Sequence, residues 1–401
     1  MTSQSGSRGL TKTEGLPAFD VEQVVRSRYA AGARQREQSL CCPTSYDRQY
    51  LDVLPAEILE RDYGCGDPTP HVHEGQTVLD LGSGGGKICY ILSQKVGAKG
   101  NVIGVDFNDE MLGLARRYRQ EIAARIGFDN VRFFKGRIQD LALDLDRVDT
   151  WLSQHPIADV SRWYELESFC ERLRQLEPMV ANDSVDVVVS NCVLNLVRAQ
   201  DKHRLFAEIF RVLRNGGRAV ICDIVSDEDV TDTIRDTPDL WSGCIAGAIR
   251  EDRFLQMFEE AGFFGIQLLA RQDEAWQTIE GVEFRSVTVQ ACKGKQGPCL
   301  ERNQAVVYAG PWRQVCDDDG HAFYRGQRAA VCDKTFQILT NPYGPYAASI
   351  HGLEPYESVP LDAALPFDCK RRALRHPRET KGESFDLTMD LPEDCGGPDC
   401  C

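Results

Sequence analysis

The chain has 401 residues, of which 42% are hydrophobic and 27% charged, a composition typical of a globular protein with a sizeable core. Its 46 Lys and Arg residues against 61 Asp and Glu residues give a formal net charge of -15, which argues against a general binder of nucleic acids or anionic membranes. The first fifteen residues contain no apolar stretch, and no apolar run is long enough to span a bilayer. We therefore expect a soluble protein of a reducing compartment, in the cytoplasm.

Strand and helix signals alternate through the first 225 residues. The predicted helices are Val21–Arg36, Ala56–Asp62, Lys87–Val96, Asp109–Ile126 and Lys202–Arg214, the last one capped by Asn215-Gly216-Gly217. The predicted strands are Thr77–Leu81, Asn101–Phe107, Val131–Lys135, Val185–Ser190 and Arg218–Ile224. This alternation predicts an α/β fold built on a mostly parallel, doubly wound sheet.

Three parts of the chain depart from this alternation. Trp151–Glu177 has helical spacing and predicts a helical insertion between the third and fourth strands. After a predicted helix at Glu251–Ala261, short strand-like runs predict small antiparallel sheets beside the main one. These runs are Ile266–Ala270, Phe284–Gln290, Gln304–Ala309 and Phe336–Leu339. From about Lys370 onward, the abundance of charge, proline and glycine predicts disorder.

A glycine-rich turn after the first strand carries the first chemical signal. The segment Asp80–Gly86 (DLGSGGG) precedes a helix, and Asp106 ends the second strand twenty residues further on. This arrangement is typical of nucleotide binding, in which the acid accepts hydrogen bonds from ribose hydroxyls. Asp80 would repel a pyrophosphate at the helix N-terminus, so a ligand with a cationic end fits better than a dinucleotide. S-adenosylmethionine carries a sulfonium and an ammonium group and no phosphate.

The turn resembles the first motif of class I S-adenosylmethionine methyltransferases, with Gly82, Gly84 and Gly86 in register and Ser83 among them. The resemblance implies a Rossmann-like class I methyltransferase fold, with S-adenosylmethionine as methyl donor and no permanent metal. The implied contacts are Asp80 to the methionine end, Asp106 to the ribose, Met111, Ile138 and Gln139 to the adenine, and Tyr29 and Tyr63 to the amino acid end. Gln139 stands where family members often have an acid. An ordinary sheet turn whose aspartate binds its own loop is the alternative.

Sixteen cysteines are many for such a protein, but none belongs to a Cys-x-x-Cys pair. Scattered buried thiols are therefore the simplest interpretation. Cys192 nevertheless follows the fourth strand directly, where parallel sheets bind ligands, and its neighbour Asn191 is a candidate contact to the amino acid part of the cofactor. Cys65 in YGCG, Cys244 in WSGCIAGA and the vicinal pair Cys41-Cys42 lie in further loops that could converge there.

Soft thiolates without histidine partners select thiophilic ions. Trivalent arsenic binds three thiolates and keeps a lone pair, which can attack a methyl sulfonium without a base. At these residues the chain resembles the arsenite S-adenosylmethionine methyltransferases, from about residue 20 to about residue 340. The matching segments are YGCG, DLGSGGGKICYILSQKVG, VVSNCVLNLV, RVLRNGG and WSGCIAGA.

The resemblance implies a role in arsenic detoxification. It implies that Cys192 and Cys244 hold trivalent arsenic, with Cys65 as third ligand or redox partner. An upstream cysteine, Cys42 or Cys41, would exchange disulfides with Cys65 during turnover, and a thiol reductant of the thioredoxin or glutathione type would complete the cycle.

We predict five segments along the chain. They are an N-terminal helical segment (1–74), the cofactor domain (75–225, with the insertion at 145–180), an arsenic-binding α+β domain (226–300), a small β-rich domain (301–369) and a flexible tail (370–401). The short N-terminal segment before YGCG and the insertion both depart from the family pattern, so inorganic arsenite and an organic arsenical both remain as substrates. The terminal Cys395, Cys400 and Cys401 are either a capture site or incidental.

Two other functions remain open from the sequence. One is a class I methyltransferase that acts on an organic small molecule, with structural cysteines. The other is a metalloid-binding sensor or carrier without catalysis. The complete cofactor motif, with Asp80 and Asp106, argues against the sensor or carrier, because a protein that only binds a metalloid has no use for a cofactor site.

Overall fold

The computed structural model describes residues 19–37, 45–370 and 373–381. The chain divides into two compact units: the first comprises Met1–Gly262 and Ile266–Ala291, and the second Phe263–Gly265 and Cys292–Cys401. The five segments drawn from the sequence are finer than this division and stay a prediction. No helix among the described residues is both long enough and apolar enough to cross a membrane.

The first unit alternates helices and strands. Its helices are α1 (Val21–Arg34), α2 (Ala56–Glu60), α3 (Lys87–Val96), α4 (Asp109–Ile126), α5 (Leu145–Gln154), α6 (Val160–Leu176), α7 (Lys202–Val212), α8 (Asp232–Arg235), α9 (Pro238–Ser242) and α10 (Glu251–Glu260). Its strands are β1 (Thr77–Leu81), β2 (Asn101–Asp106), β3 (Val131–Lys135), β4 (Val185–Asn191), β5 (Leu213–Ser226), β6 (Ile249–Arg250), β7 (Phe264–Arg271), β8 (Gln277–Ile279) and β9 (Val282–Cys292).

Polar caps and glycines set the ends of the helices next to the cofactor motif. Asn108 caps α4, because its side-chain oxygen accepts hydrogen bonds from the backbone N–H groups of Glu110 and Met111 at 3.1 and 3.2 Å. Gly127 ends the same helix in a left-handed conformation with φ of 88°. The cap fixes the position of Met111 in the first turn of α4, close to the end of β2.

The strands join one sheet in the order β3-β2-β1-β4-β5-β9-β7, with β6 beside β5 and β8 beside β9. Strands β1 to β5 pair in parallel, as predicted. The strand order reverses between β1 and β4, and open α/β sheets bind ligands at such a switch point, beyond the carboxyl ends of the strands. The residues that follow β1, β2 and β4 therefore surround a ready-made crevice.

Two predicted features of the sheet were wrong. The runs Ile266–Ala270 and Phe284–Gln290 do not build small separate sheets but lie in β7 and β9, which extend the main sheet. Strand β9 is buried along most of its length because it lies between β5 and β7. Asn215-Gly216-Gly217 does not cap α7 but lies inside β5, where the register against β4 shifts. Gly216 supplies the left-handed φ of 81° that the irregularity needs.

The predicted insertion consists of two helices, α5 and α6, rather than one. Residues His155–Asp159, which include Pro156, separate them, and proline cannot continue the hydrogen bonding of a helix interior. Trp151 stacks against Phe169 across the two helices, with ring centroids 5.5 Å apart. The insertion thus has a small apolar core of its own, around Leu143, Val148 and Leu173.

The second unit is built from short strands and two helices. They are β10 (Leu300–Glu301), β11 (Ala305–Tyr308), β12 (Gln314–Cys316), β13 (Ala322–Tyr324), β14 (Arg328–Ala330), α11 (Asp333–Thr340), β15 (Ile350–Leu353), β16 (Leu365–Pro366) and α12 (Pro377–Lys381). The predicted strand Phe336–Leu339 was wrong, because Cys332 caps a helix there and both apolar residues face inward on one helix side. The expected disorder after Lys370 does not hold for α12, and residues 382–401 lie outside the described part.

Candidate active site

The glycine turn after β1 requires glycine at specific positions. Gly82, Gly84 and Gly86 have left-handed φ values of 66°, 51° and 87°. A Cβ atom at Gly82 would lie 2.4 Å from a methyl group of Val193, and one at Gly86 would lie 2.9 Å from the Phe133 ring. Gly82 therefore lets the turn pass close to the loop after β4, and Gly86 lets it pass close to the Phe133 side chain of β3.

Eleven of the twelve predicted cofactor residues line a single pocket at the switch point of the sheet. They are Tyr29, Tyr63, Asp80, Gly82, Ser83, Gly84, Asp106, Met111, Ile138, Gln139 and Asn191. The twelfth, Gly86, does not line the pocket but caps α3. Cys192 also lines this pocket. The sequence motif and the pocket thus coincide, and one predicted arsenic ligand reaches the cofactor pocket.

Asp80 is the buried acid of this pocket, with 2% of its surface exposed. Burial raises the pKa of Asp80 to about 7; a hydrogen bond from the Cys89 thiol (Sγ–Oδ2 3.2 Å) opposes the rise, and the Asp106 and Asp62 charges add to it. A buried carboxylate with this pKa favours a cationic ligand group, which would restore its charged form. Asp80 thus fits the ammonium end of S-adenosylmethionine.

Other polar atoms in the pocket fit the same ligand. The Ser83 hydroxyl is buried and has no hydrogen-bond partner among the described residues. A buried hydroxyl of this kind costs free energy unless a bound molecule satisfies it. Asp106 is also buried, and its carboxylate accepts hydrogen bonds from the backbone N–H groups of Gly84 at 2.9 Å and Asn108 at 2.8 Å. These bonds hold Asp106 in place at the end of β2.

The structure brings Cys65, Cys192 and Cys244 together in one buried apolar cluster, which also contains Trp241. The Cys244 thiol donates a hydrogen bond to the Cys192 backbone carbonyl at 3.1 Å. Interactions with the Cys244 and Cys65 thiols, followed by burial, hold the pKa of Cys192 well above its usual range, and burial raises the pKa of Cys65. The three sulfur atoms do not all lie within 4.8 Å of one another. An ion bound by all three would have to draw the sulfur atoms closer together.

The backbone at two of these cysteines is strained. Cys192 and Cys244 have φ values of 62° and 63°, in the left-handed region that non-glycine residues avoid. The described residues contain five non-glycine positions with positive φ, and these two are the only cysteines among them. Such strain persists where surrounding contacts enforce it, and it is concentrated at functional sites.

Several side chains that we did not predict in this role position the cysteine loops. The Asn191 amide oxygen accepts hydrogen bonds from the backbone N–H groups of Cys65 (2.8 Å) and Gly66 (3.0 Å), and its amide nitrogen donates to the Gly66 carbonyl (2.7 Å). Asn191 therefore holds the Cys65 loop besides lining the pocket, and its predicted contact to the cofactor stays a prediction. Ser286 donates to the Cys65 carbonyl at 2.8 Å.

Two buried residues, Asn195 and Asp223, position the loops that contain Cys244 and Cys192. The Asn195 amide donates to the backbone carbonyls of Cys244 (3.1 Å) and Ile224 (2.6 Å). The Asp223 carboxylate accepts from the Leu194 backbone N–H at 2.8 Å, and burial raises the pKa of Asp223 to about 6. Asn195 lies in the segment VVSNCVLNLV that carried the resemblance, but nothing in the sequence alone indicated this role. The predicted redox partners Cys41 and Cys42 lie outside the described residues.

The fold and this pocket define a class I S-adenosylmethionine-dependent methyltransferase. Residues 72–178 and 168–262 match a family model described as a methyltransferase domain, and residues 295–385 match one described as a domain of unknown function. The arsenite methyltransferase of Aquipseudomonas alcaligenes is 32% identical over 317 residues, which cover 75% of this chain and 81% of the relative. The Mus musculus arsenite methyltransferase is 29% identical, covering 89% of this chain and 88% of the relative.

A solved structure agrees with these relatives. The crystal structure of an arsenic(III) S-adenosylmethionine methyltransferase from Chlamydomonas reinhardtii is similar with a TM-score of 0.53 and 25% identity, covering 82% of this chain and all of that one. The chain belongs to the arsenite methyltransferase family.

Proposed function

We propose that this enzyme transfers methyl groups from S-adenosylmethionine to trivalent arsenic held by Cys65, Cys192 and Cys244. The observation that carries the proposal is the position of Cys192. Cys192 lines the cofactor pocket and also belongs to the buried cluster that contains the other two cysteines, and its backbone carbonyl accepts a hydrogen bond from the Cys244 thiol at 3.1 Å. An ion bound to Cys192 would therefore lie next to the place where a methyl donor binds.

Binding of arsenic to the three thiols needs no protein base. Arsenous acid carries three hydroxyl groups, and each As–O bond exchanges for an As–S bond while the thiol proton leaves with the hydroxide as water. Raised thiol pKa values are compatible with this exchange, because the departing hydroxide takes up the proton. The trithiolate pyramid keeps the arsenic lone pair free as the nucleophile.

The protein contributes mainly position and exclusion of water. Bound S-adenosylmethionine would supply the methyl group on its sulfonium centre, with Asp80 facing the ammonium end and Asp106 the ribose. The apolar cluster around Trp241 and Ile245 surrounds the thiols and keeps water from the reacting atoms. The lone pair of arsenic would form the As–C bond as the S–CH3 bond breaks, which would leave S-adenosylhomocysteine and formally pentavalent arsenic. A thiol reductant of the thioredoxin or glutathione type would supply the two electrons that return arsenic to the trivalent state. In this proposal Cys42 or Cys41 exchanges disulfides with Cys65, and the enzyme acts in the reducing cytoplasm.

The test is a methylation assay with labelled S-adenosylmethionine, arsenite and a thiol reductant, with products separated by chromatography and identified by mass spectrometry. We expect a methylated arsenical from the wild-type protein and none from Cys192→Ser or Cys244→Ser, while both variants still bind S-adenosylmethionine. Cys222→Ser is the matched control, because this buried thiol contacts the Thr288 hydroxyl (3.3 Å) and lies outside the apolar cluster that contains the three cysteines. Full activity of Cys192→Ser would exclude the assignment.

A further inference from the structure

A second cluster of three cysteines lies in the second unit. The sulfur atoms of Cys299, Cys332 and Cys369 all lie within 4.8 Å of one another. Cys332 is buried, and the other two are partly exposed and line a pocket together with it. The proposed methyl transfer uses none of these residues.

The fold of the second unit brings these thiols together from distant parts of the chain. Strands β10 and β16 pair antiparallel, and the Phe367 backbone N–H donates to the Cys299 carbonyl at 2.9 Å. This pairing places Cys299, just before β10, near Cys369, just after β16. Cys332 is the N-cap of α11 and approaches from a third element. A cluster assembled from three separate elements depends on the tertiary fold and not on a local sequence pattern.

Polar contacts surround the cluster. The Cys332 sulfur accepts a hydrogen bond from the Thr335 backbone N–H at 3.4 Å, in the first turn of α11. Burial raises the pKa of Cys299, but hydrogen bonds with Cys369 and Cys332 and the charge of Lys334 outweigh it, so the pKa is lowered overall. Burial and the shared hydrogen bond with Cys299 raise the pKa of Cys369. The thiolate form is thus favoured at Cys299 and opposed at Cys369, and what suits the cluster to an ion is the close approach of its three sulfur atoms.

The number and kind of ligands select the ion. Structural zinc sites are almost always four-coordinate, whereas no fourth His, Cys, Asp or Glu ligand atom of the described residues joins this set within 4.8 Å. Three soft sulfur ligands favour a thiophilic ion that is satisfied by three bonds. We propose that Cys299, Cys332 and Cys369 form a second binding site for trivalent arsenic.

Binding of arsenous acid at this site needs neither an oxidant nor a reductant. Arsenous acid exchanges three As–O bonds for three As–S bonds and releases three water molecules, and no atom changes its oxidation state. The proposal does not rest on the methyl transfer at the first cluster. It requires only that the ion reach the pocket of the second unit.

The experiment measures bound arsenic in the full chain by mass spectrometry of the metalloid, after equilibration with arsenite and a phosphine reductant and removal of free ion. The Cys299→Ser/Cys369→Ser double variant is compared with the wild type and with Cys316→Ser, an exposed cysteine of the same unit that is outside the cluster. We expect the double variant to lose one equivalent of arsenic and Cys316→Ser to lose none. Arsenite should also protect Cys299, Cys332 and Cys369, but not Cys316, from alkylation.

The outcomes separate this proposal from the proposed function. If the double variant retains all the bound arsenic of the wild type, the second site is excluded. One zinc ion per purified chain that disappears in the double variant would also overturn it, because zinc would then be the natural occupant. Cys192→Ser tests the first cluster independently and should lose its own equivalent while arsenite still protects the second cluster. Failure at one cluster therefore leaves the other result intact.

Discussion

The Cys244 thiol donates a hydrogen bond to the backbone carbonyl of Cys192, with Sγ 3.1 Å from the oxygen. Both residues have a left-handed backbone; Cys192 directly follows β4, and Cys244 lies between α9 and β6. The bond joins the two loops whose cysteines are proposed to hold arsenic. Two strained turns that support each other hold both sulfur atoms in place before any ligand binds.

This strain predicts an unusual order of stability among variants. The free energy of unfolding of Cys192→Gly should be about 1 kcal/mol higher than that of Cys192→Ala, because only glycine adopts positive φ without cost. Both variants lose the thiol, so both should be inactive. Chemical denaturation followed by circular dichroism measures the difference. A Cys192→Ala variant that is more stable than Cys192→Gly would show that the turn is not strained.

Gly64 controls the position of the Cys65 loop through Asn191. A Cβ atom at Gly64 would lie 2.1 Å from the Asn191 amide nitrogen, so Gly64→Ala must displace Asn191 or the loop. We expect methylation to fall by at least tenfold, together with a loss of arsenic affinity in titrations. Gly113→Ala is the control, since this exposed position in α4 has open space and should gain about 0.5–1 kcal/mol of stability. Unchanged arsenic affinity in Gly64→Ala would contradict the positioning role.

Asn195 should position Cys244 without touching the cofactor. Asn195→Ala leaves the buried carbonyls of Cys244 and Ile224 without these donors, which should lower the free energy of unfolding by about 1–3 kcal/mol. Arsenic affinity should fall while S-adenosylmethionine affinity stays unchanged, a split that general destabilisation does not produce. Asn101→Ala, at the exposed start of β2, should change stability by about 0.5 kcal/mol or less. Equal loss of both affinities would argue against the role.

Asp80 should make cofactor binding depend on pH. Its pKa in the free protein is about 7, and a bound cation would lower that value because it stabilises the carboxylate. S-adenosylmethionine affinity should therefore be constant above pH 7 and fall by up to tenfold per pH unit below it. Calorimetric titrations between pH 5.5 and pH 8.5 measure this dependence. Asp80→Asn should bind more weakly and lose the pH dependence; an identical pH profile in that variant would assign the titration to another group.

Local signals predicted the first half of the fold well. The bounds of β1, α3, α4 and β3 are as the sequence indicated, because glycines, polar caps and unbroken apolar runs fix their ends. The wrong predictions concern elements whose structure is set by tertiary contacts. Nothing in the sequence of β9 distinguishes a central strand of the main sheet from one of a small separate sheet, and Gly216 serves a strand irregularity as readily as a helix end.

The candidate site shows the same division. The glycine turn, Asp80 and Asp106 form a pattern with a known physical purpose, so their place in the pocket could be predicted from the residues themselves. Met111, Ile138, Gln139 and Tyr63 came from the resemblance, and the contacts of all these residues to the cofactor stay a prediction. Cys192 could be selected from the sixteen cysteines by its position after the fourth strand, but the roles of Cys192 and Cys244 as arsenic ligands came only from the resemblance of their flanking segments. The left-handed turns and the hydrogen bonds of Asn195 arise from three-dimensional packing. The second thiol cluster was not predicted at all, because its members come from three separate elements that only the tertiary fold brings together.

The central claim is that three protein sulfur atoms of the first cluster hold arsenic for methylation. X-ray absorption spectroscopy at the arsenic edge tests it most directly, on the Cys299→Ser/Cys369→Ser variant loaded with one equivalent of arsenite. Our account predicts an arsenic atom with three sulfur neighbours, and replacement of at least one of them by oxygen when Cys192→Ser is added. A spectrum that Cys192→Ser leaves unchanged would contradict the account, because the ion would then be bound elsewhere.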